Sequence, residues 1–372
     1  MCTIWELCYG KAFMKSEFFI GVMSGTSMDG VDVVFCQVDA NKCHLLESYE
    51  HTFPKSLKTK ILSCIENTVS VAKIGEVDHE IALLFADAVN TFLNKVNIDS
   101  KTVTAIGLHG QTLWHEPKSD RAFTVQLGDP NIVAARTGIV TVADFRRKDM
   151  AFGGSGAPLA AAFHKFIFKN IGNRTAVVNL GGIANITIVQ EPLIGYDIGP
   201  GNMLMDAWIG KHRDLPYDKD GNWAREGKVD YKLLDKMMQD NYFHQLPPKS
   251  TGRERFNEKW LQAHLDAQCS VLSASSVQRT LLELTAVSIS NEVLRFNPDI
   301  LMLCGGGARN SFLVERIATL IPNIQVGIIE HADALEAMMM AWLAYKRIHN
   351  EVVELKDVTG AAQNTILGGV YQ

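Results

Sequence analysis

Four stretches of this 372-residue chain hold residue types that could move a phosphoryl group. Asp197 stands before Gly199-Pro200-Gly201, and a helical pattern opens at Met203. A carboxylate there would meet a phosphate lodged on the free N–H groups and dipole of the helix N-terminus. The same placement also suits a plain helix N-cap or turn former. In the second stretch, Met23-Ser24-Gly25-Thr26-Ser27-Met28-Asp29-Gly30-Val31-Asp32, glycines and hydroxyls would turn backbone N–H groups to one side as a nest for phosphate oxygens. Taken alone it equally suits a tight hairpin with a polar tip. No Gly-Lys-Ser/Thr follows, so it is not a Walker A loop. The glycine turn recurs at Gly181-Gly182-Ile183-Ala184-Asn185, and Gly305-Gly306-Gly307-Ala308-Arg309-Asn310 is a fourth glycine loop. Backbone donors, a carboxylate base and a metal partner are what phosphoryl transfer in a cleft requires.

Elements of two kinds must position these groups. Phe18 to Met23 and Val31 to Val38 are rich in Val, Ile and Phe and flank the first turn, which predicts strand, turn, strand. Helical spacing follows over Pro54 to Thr68 and Val77 to Val96, then a strand, Val103 to Leu108, opening into a polar loop, His109-Gly110-Gln111-Thr112, that continues through His115, Glu116 and Pro117. A second loop, Val125 to Pro130, precedes a helix to about Thr137 and a strand, Ile139 to Ala143, that delivers Asp144 to Asp149. Phe152 to Pro158 is too glycine-rich for a regular element and reads as a hinge or substrate loop. From Thr175 the order repeats: glycine hairpin, further material, a helix over Val277 to Phe296, the strand Ile300 to Cys304, a glycine loop. The repeat predicts a duplicated α/β domain with the ligand cleft between its halves. An insertion, Asp206 to Ser270, interrupts the second half with a helix from about Tyr231 to Tyr242. It also holds an Asp218-to-Trp223 run that reads as a surface turn, since the Glu of a calcium loop is missing, and a Lys249-to-Arg255 loop that suits an anion contact or plain solvation. The last helix, Ala334 to Ile348, is apolar nearly all round, so Glu336 at its start is either a first-turn charge or a cleft residue.

The bulk numbers exclude several classes. Apolar residues make up 47% and charged ones 21%, which argues against disorder. A net charge of -5 without a basic stripe leaves no footprint for nucleic acid, and no apolar run reaches the ~20 residues that span a bilayer. Seven scattered cysteines without zinc or redox spacing fit buried thiols in a reducing cytoplasm. Residues 1–17 read as an N-terminal extension, 18–150 as the first domain and 151–372 as the second, with the C-terminal helix a candidate to pack back on the first.

The chain resembles the anhydro-N-acetylmuramic acid kinase family from about Phe18 to Tyr371. Val22 to Asp32, His109 to Thr112, Ala143 to Asp149, Gly153 to Leu159, Asn179 to Asn185, Gly195 to Asn202, Lys249 to Phe256 and Cys304 to Asn310 carry the likeness. Met28 and Ser155 are small departures, and Ser155 weakens a side-chain contact at its position. The resemblance implies the actin, sugar-kinase and heat-shock-protein-70 type of fold, an α/β pair of duplicated ribonuclease H-like ATPase domains with an interdomain cleft. It implies that ATP, with Mg²⁺, water and 1,6-anhydro-N-acetylmuramic acid give N-acetylmuramic acid 6-phosphate and ADP in murein recycling, and it suggests a cytoplasmic homodimer. Carried over by position, it assigns Gly25, Thr26, Ser27, Met28, Asp29, Gly30, Val31 and Asp32 to the ATP phosphates; the chemistry itself suggests Asp29 near the metal through water. Gly182, Asn185, Gly305, Gly306, Gly307 and Asn310 fall by the nucleotide, and His109, Gln111, Arg146, Gly154 and Ser155 by the sugar. Asp197 is the implied catalytic base and Glu336 the implied carboxylate near the sugar. Two rivals stand beside this reading: another sugar or amino-sugar kinase of the same fold, and a non-catalytic ATP-gated module.

Overall fold

Glu17–Met23 alternates its side chains between two apolar layers, and this strand, β1, is the centre of the first sheet. Residues 17–25, 28–169, 171, 174–247, 249–252, 254–267 and 272–372 are described by a computed structural model. β2 (Gly30–Val38) runs antiparallel to β1 with Asp32 opposite Met23, and β3 (Cys43–Thr52) runs antiparallel to β2. β4 (Val103–Leu108) adds in parallel on the other side of β1. A separate hairpin, β5 (Gln111–Glu116) and β6 (Phe123–Leu127), precedes β7 (Thr141–Ala143), which pairs parallel with β4. The C-terminal strand Gly369–Tyr371 closes the edge antiparallel to β7. Ile20 and Val22 pack with Ile81, Phe85 and Phe92 of the helix Val71–Val96 in one buried core. The opposite face carries Phe19, whose ring meets Tyr345 edge-on at 5.8 Å between centroids.

The second sheet is built from β8 (Thr175–Leu180), β9 (Ile183–Val189), β10 (Ile194–Pro200), β11 (Ile300–Cys304) and β12 (Gln325–Ile328), in the order β10-β9-β8-β11-β12. Its senses match β3-β2-β1-β4-β7 strand for strand: two antiparallel steps from the first strand outward, two parallel steps the other way. The α/β frame is thus duplicated, as the repeated element order predicts. The helix Ala274–Phe296 covers one face, burying Leu281, Leu282, Ala286, Ile289 and Val293 with Val178, Ile186 and Ile198.

The two compact units do not follow chain order. One runs to Lys148 and takes in Glu336–Val352 and Ile366–Gln372; the other holds Asp149–Leu335 and Val353–Thr365. The expected boundary fell after residue 150, with the C-terminal helix a candidate to pack back on the first domain, and that helix, from Glu336 on, is counted with the first unit. Of the N-terminal extension only Glu17 falls within the described residues, and it opens β1.

Three local expectations are corrected. The loop expected over residues 109–117 is largely strand: Gln111–Glu116 pairs with Phe123–Leu127, whose Thr, Val and aromatic residues suit a pleated surface. The helix expected over Tyr231 to Tyr242 ends at Met238, and Asp240 then caps a new short helix by accepting from the Tyr242 N–H at 2.9 Å. Asp218 is buried rather than on a surface turn, its carboxylate accepting from the N–H groups of Trp223 and Ala224 and from Gln278 Nε2.

Candidate active site

In the first unit β1 and β2 enclose the glycine turn. Met28 adopts a left-handed conformation at φ 53° and donates its N–H to the Gly25 carbonyl, while Ser24 Oγ donates to the Gly30 carbonyl. Thr26 and Ser27 lie outside the described residues. The remaining members of the expected phosphate segment divide by burial. Met28 and Val31 put their side chains in the core, so only their backbone could face a ligand. Asp29 is exposed and pairs with Lys58 at 3.2 Å. Gly30, Val31 and Asp32 are already strand, not loop. Burial, Glu50 directly opposite on β3 and Glu336 together push the Asp32 carboxyl up to about 6.

The end of β4 delivers His109, which donates its N–H to the Val22 carbonyl. Its Nε2 accepts from Arg146, at 2.8 Å from one terminal nitrogen and 3.2 Å from Nε. Nδ1 therefore carries the proton and donates to the Gly110 carbonyl at 2.7 Å. Burial and the neighbouring guanidinium push His109 down to about 3. Arg146 itself is lowered to about 10 by burial, with Glu336 pulling it back up. Glu336 keeps contact with solvent although protein crowds round it; that crowding raises its carboxyl above the usual range against the pull of Arg146. Gln111 is 1% exposed; its Nε2 donates to the Gly25 carbonyl, and its Oε1 has no partner among the described residues. A cavity of about 490 Å³ is lined by His109, Gly110, Gln126, Asp129, Asp144 and Arg147 among others; Gln111, Arg146 and Glu336 do not line it. His109, Gln111, Arg146 and Glu336 belong to one unit. Gly154 and Ser155 belong to the other, where the Asp149 carboxylate ties their loop down by accepting from the Gly156 N–H and the Thr359 hydroxyl. The Ser155 hydroxyl is used within that loop, donating to the Ala157 carbonyl.

In the second unit Asp197 lies mid-strand in β10, not at a strand end. A bulge between Asp197 and Gly199 breaks the ladder there, a device that re-aims side chains beside active sites. Strand register sets Asn179, Asn185 and Asp197 side by side across β8, β9 and β10, all three half-buried. Oδ2 of Asp197 accepts from the Ser250 hydroxyl at 2.8 Å and the Thr251 N–H at 3.1 Å. Gly305, at φ 80°, approaches this row so closely that a Cβ would sit 2.2 Å from Asn179 Oδ1. The turn Gly305 to Gly307 is thus fitted against the end of β8, and Gly307 itself packs on Leu180.

Two helices start from these glycine loops. The N–H groups of Gly201, Asn202 and Met203, leading into the helix Met203–Arg213, donate to the carbonyls of Gly181 and Gly182. The Gly181-Gly182 turn therefore acts as an acceptor brace for that helix, and the N–H groups expected to cradle a phosphate there are in use. The Asn310 side chain accepts from the Leu313 N–H as the N-cap of Ser311–Leu320. Sequence reasoning read the Lys249-to-Arg255 loop as an anion contact or plain solvation. It missed that Ser250 and Thr251 hold Asp197, because a contact between residues 53 and 54 positions apart leaves no local signal.

Comparison with known proteins gives a consistent result. The model of the family described as anhydro-N-acetylmuramic acid kinase matches residues 17–372. The anhydro-N-acetylmuramic acid kinase of Sulfurovum sp. (strain NBC37-1) is 61% identical over 358 residues, covering 96% of this chain and 100% of that protein. That of Sulfurimonas denitrificans is 45% identical, covering 96% of this chain and 100% of its own length. That of Vibrio vulnificus is 47% identical, with 95% of this chain and 98% of that protein aligned. Aligned almost end to end with relatives at this level of identity, the chain belongs to the anhydro-N-acetylmuramic acid kinase family.

Proposed function

We propose that this protein uses ATP and water to open 1,6-anhydro-N-acetylmuramic acid and phosphorylate its O6, releasing N-acetylmuramic acid 6-phosphate and ADP in cell-wall recycling. The observation that carries the reading is the Asp197 carboxylate, held by two donors at a strand bulge in one row with Asn179 and Asn185. O6 of the anhydro sugar is tied to C1 as an ether, so no hydroxyl exists to phosphorylate until that bond breaks. Asp197 takes a proton from water as the water oxygen bonds to C1. The C1–O6 bond breaks, and O6 takes the γ-phosphoryl in line as its bond to ADP is lost. Arg146, Gln111 and Glu336 serve the sugar. Arg146 is oriented by His109, Gln111 offers its Oε1, which has no partner among the described residues, and Glu336 offers its carboxyl.

The phosphates fall to the β1–β2 turn and to Gly305–Gly307. Among the described residues no group of three or more His, Cys, Asp or Glu side chains is placed to hold a metal. A Mg²⁺ ion would be held chiefly by the nucleotide's own oxygens and water, as this ion commonly is, with Asp29 reaching it through water. Bound there, it would neutralise charge on the phosphates. The buried thiols Cys36, Cys43, Cys64 and Cys304 fit a reducing compartment.

The test is Asp197→Asn. Isothermal titration should find ATP and sugar bound with near-normal affinity, while ring opening and phosphorylation both fall by about 10³-fold. Turnover within tenfold of the parent would remove Asp197 from the base role.

A further inference from the structure

Lys249 and Glu292 form an ion pair in the interior of the second unit, with Nζ 2.7 Å from Oε1 and side chains only 1% and 5% exposed. Burying two charges costs several kcal/mol of solvation, which the attraction alone seldom returns, so such a pair calls for a role beyond stability. The surroundings are built for it. Tyr196 donates its hydroxyl to Glu292 Oε2 at 2.8 Å, and Arg295 Nε lies 3.1 Å from the same oxygen. The Lys249 ammonium also sits over the Tyr242 ring, 5.0 Å from its centre, and donates to the Tyr242 carbonyl.

What the pair holds is the segment Lys249-Ser250-Thr251, which belongs to no helix or strand. Three contacts join that segment to Asp197 in consecutive order. The Lys249 carbonyl accepts the Asp197 N–H at 3.2 Å, and Ser250 Oγ and the Thr251 N–H both donate to Asp197 Oδ2. Tyr242, packed under the same ammonium, donates its hydroxyl to the Asp197 carbonyl at 2.7 Å. Ser250 itself is exposed, so nothing in its own packing fixes where its hydroxyl lies. Lys249, one residue earlier, is fixed, and its anchor is Glu292 on the helix Ala274–Phe296.

We infer that the buried Lys249–Glu292 pair positions the Ser250 and Thr251 donors, and through them sets the orientation and ionisation of the Asp197 carboxylate. Lys249 and Glu292 are positioning residues in this scheme; they act through Ser250 and Thr251. Two donors converging on one oxygen fix rotation of the carboxylate about its last bond. Hydrogen bonds to the charged form keep it charged. The inference rests on the reading of Asp197 as the base.

The test compares kcat, KM and the pH dependence of kcat/KM for the parent, Ser250→Ala, Glu292→Gln and the double variant, with Asp197→Asn as reference. Ser250→Ala, an exposed change, should lower kcat by about tenfold, leave the sugar KM within about twofold, and move the acidic limb of kcat/KM up by up to about one pH unit. Glu292→Gln keeps the shape of the anchor but not its charge, and should move kcat and the limb in the same sense. In that background Ser250→Ala should cost about threefold or less, because the donor is already misplaced. If Ser250→Ala moves neither kcat nor the limb while Asp197→Asn abolishes turnover, the positioning inference is overturned and the base assignment stands. If the Ser250 and Glu292 effects multiply independently, the link between anchor and donor is overturned. If Asp197→Asn turns over normally, the underlying reading fails first.

Discussion

The Arg146 guanidinium keeps its proton throughout the working pH range, and that decides the state of the histidine it touches. With Nε2 accepting from Arg146 and Nδ1–H donating to the Gly110 carbonyl, His109 has both ring nitrogens committed and is held neutral. It orients the Arg146 guanidinium and is no proton shuttle. The sign of its contribution to stability follows. Folding pushes the histidine from its ordinary 6.5 down to about 3, so between those values the unfolded chain binds more protons than the native one. Stability from this group is present above about pH 6.5 and is lost as pH falls towards 3. His109→Gln, which still offers Arg146 an oxygen, should flatten the loss of the urea midpoint between pH 7 and pH 4 and raise the sugar KM by about tenfold. An unchanged slope would mean that His109 is protonated in the native state. His164, buried, pushed down to about 4 and bonded to Thr187, adds a slope of the same sign in both proteins and cancels in the comparison.

At the level of elements, the placement of Glu336 depends on two glycines that sequence reasoning passed over. Gly21 of β1 and Gly107 of β4 are register partners. Together they make a groove in the sheet, and the helix Leu335–Ile348 lies in it. A Cβ on Gly21 would come 1.8 Å from the Ala337 carbonyl oxygen, and one on Gly107 1.9 Å from that of Met340. Glu336 precedes the first of these contacts by one residue. Gly107→Ala should therefore cost about 2 kcal/mol or more of stability by pushing the helix off the sheet, and raise the sugar KM by displacing Glu336. Chemical denaturation and initial rates would check it, and a stable variant with normal KM would contradict the packing account. Strand glycines of this kind carry a signal, since an interior glycine often marks a close backbone approach. The partner helix, more than 200 residues further on, carries none. The same contrast runs through the molecule. β11, Ile300–Cys304, was legible to the residue because its apolar run ends in glycines. β5 and β6 were taken for loop because polar Gln111, Thr112, His115 and Gln126 mask their alternation. β3, an edge strand with many exposed positions, offered no apolar run to read.

For the whole molecule, the duplicated order was legible because each half carries its own glycine hairpin and helix-then-strand sequence, and both sheets repeat one topology. How the chain divides was less so. The unit that begins at β1 takes in Glu336–Val352, the helix expected as a candidate to pack back on it, and also Ile366–Gln372, which carried no such signal. Asp197 lies in one unit and Arg146, Gln111 and Glu336 in the other. A simple sugar kinase with these groups would phosphorylate a hydroxyl already present. The account here demands that water enter at C1 in the same turnover that phosphorylates O6. Turnover in ¹⁸O-water with mass spectrometry of the sugar product separates the two most directly. The account predicts one ¹⁸O on C1 of every N-acetylmuramic acid 6-phosphate released and none in its phosphate. Label in the phosphate, or product from the anhydro sugar without label on C1, would contradict it.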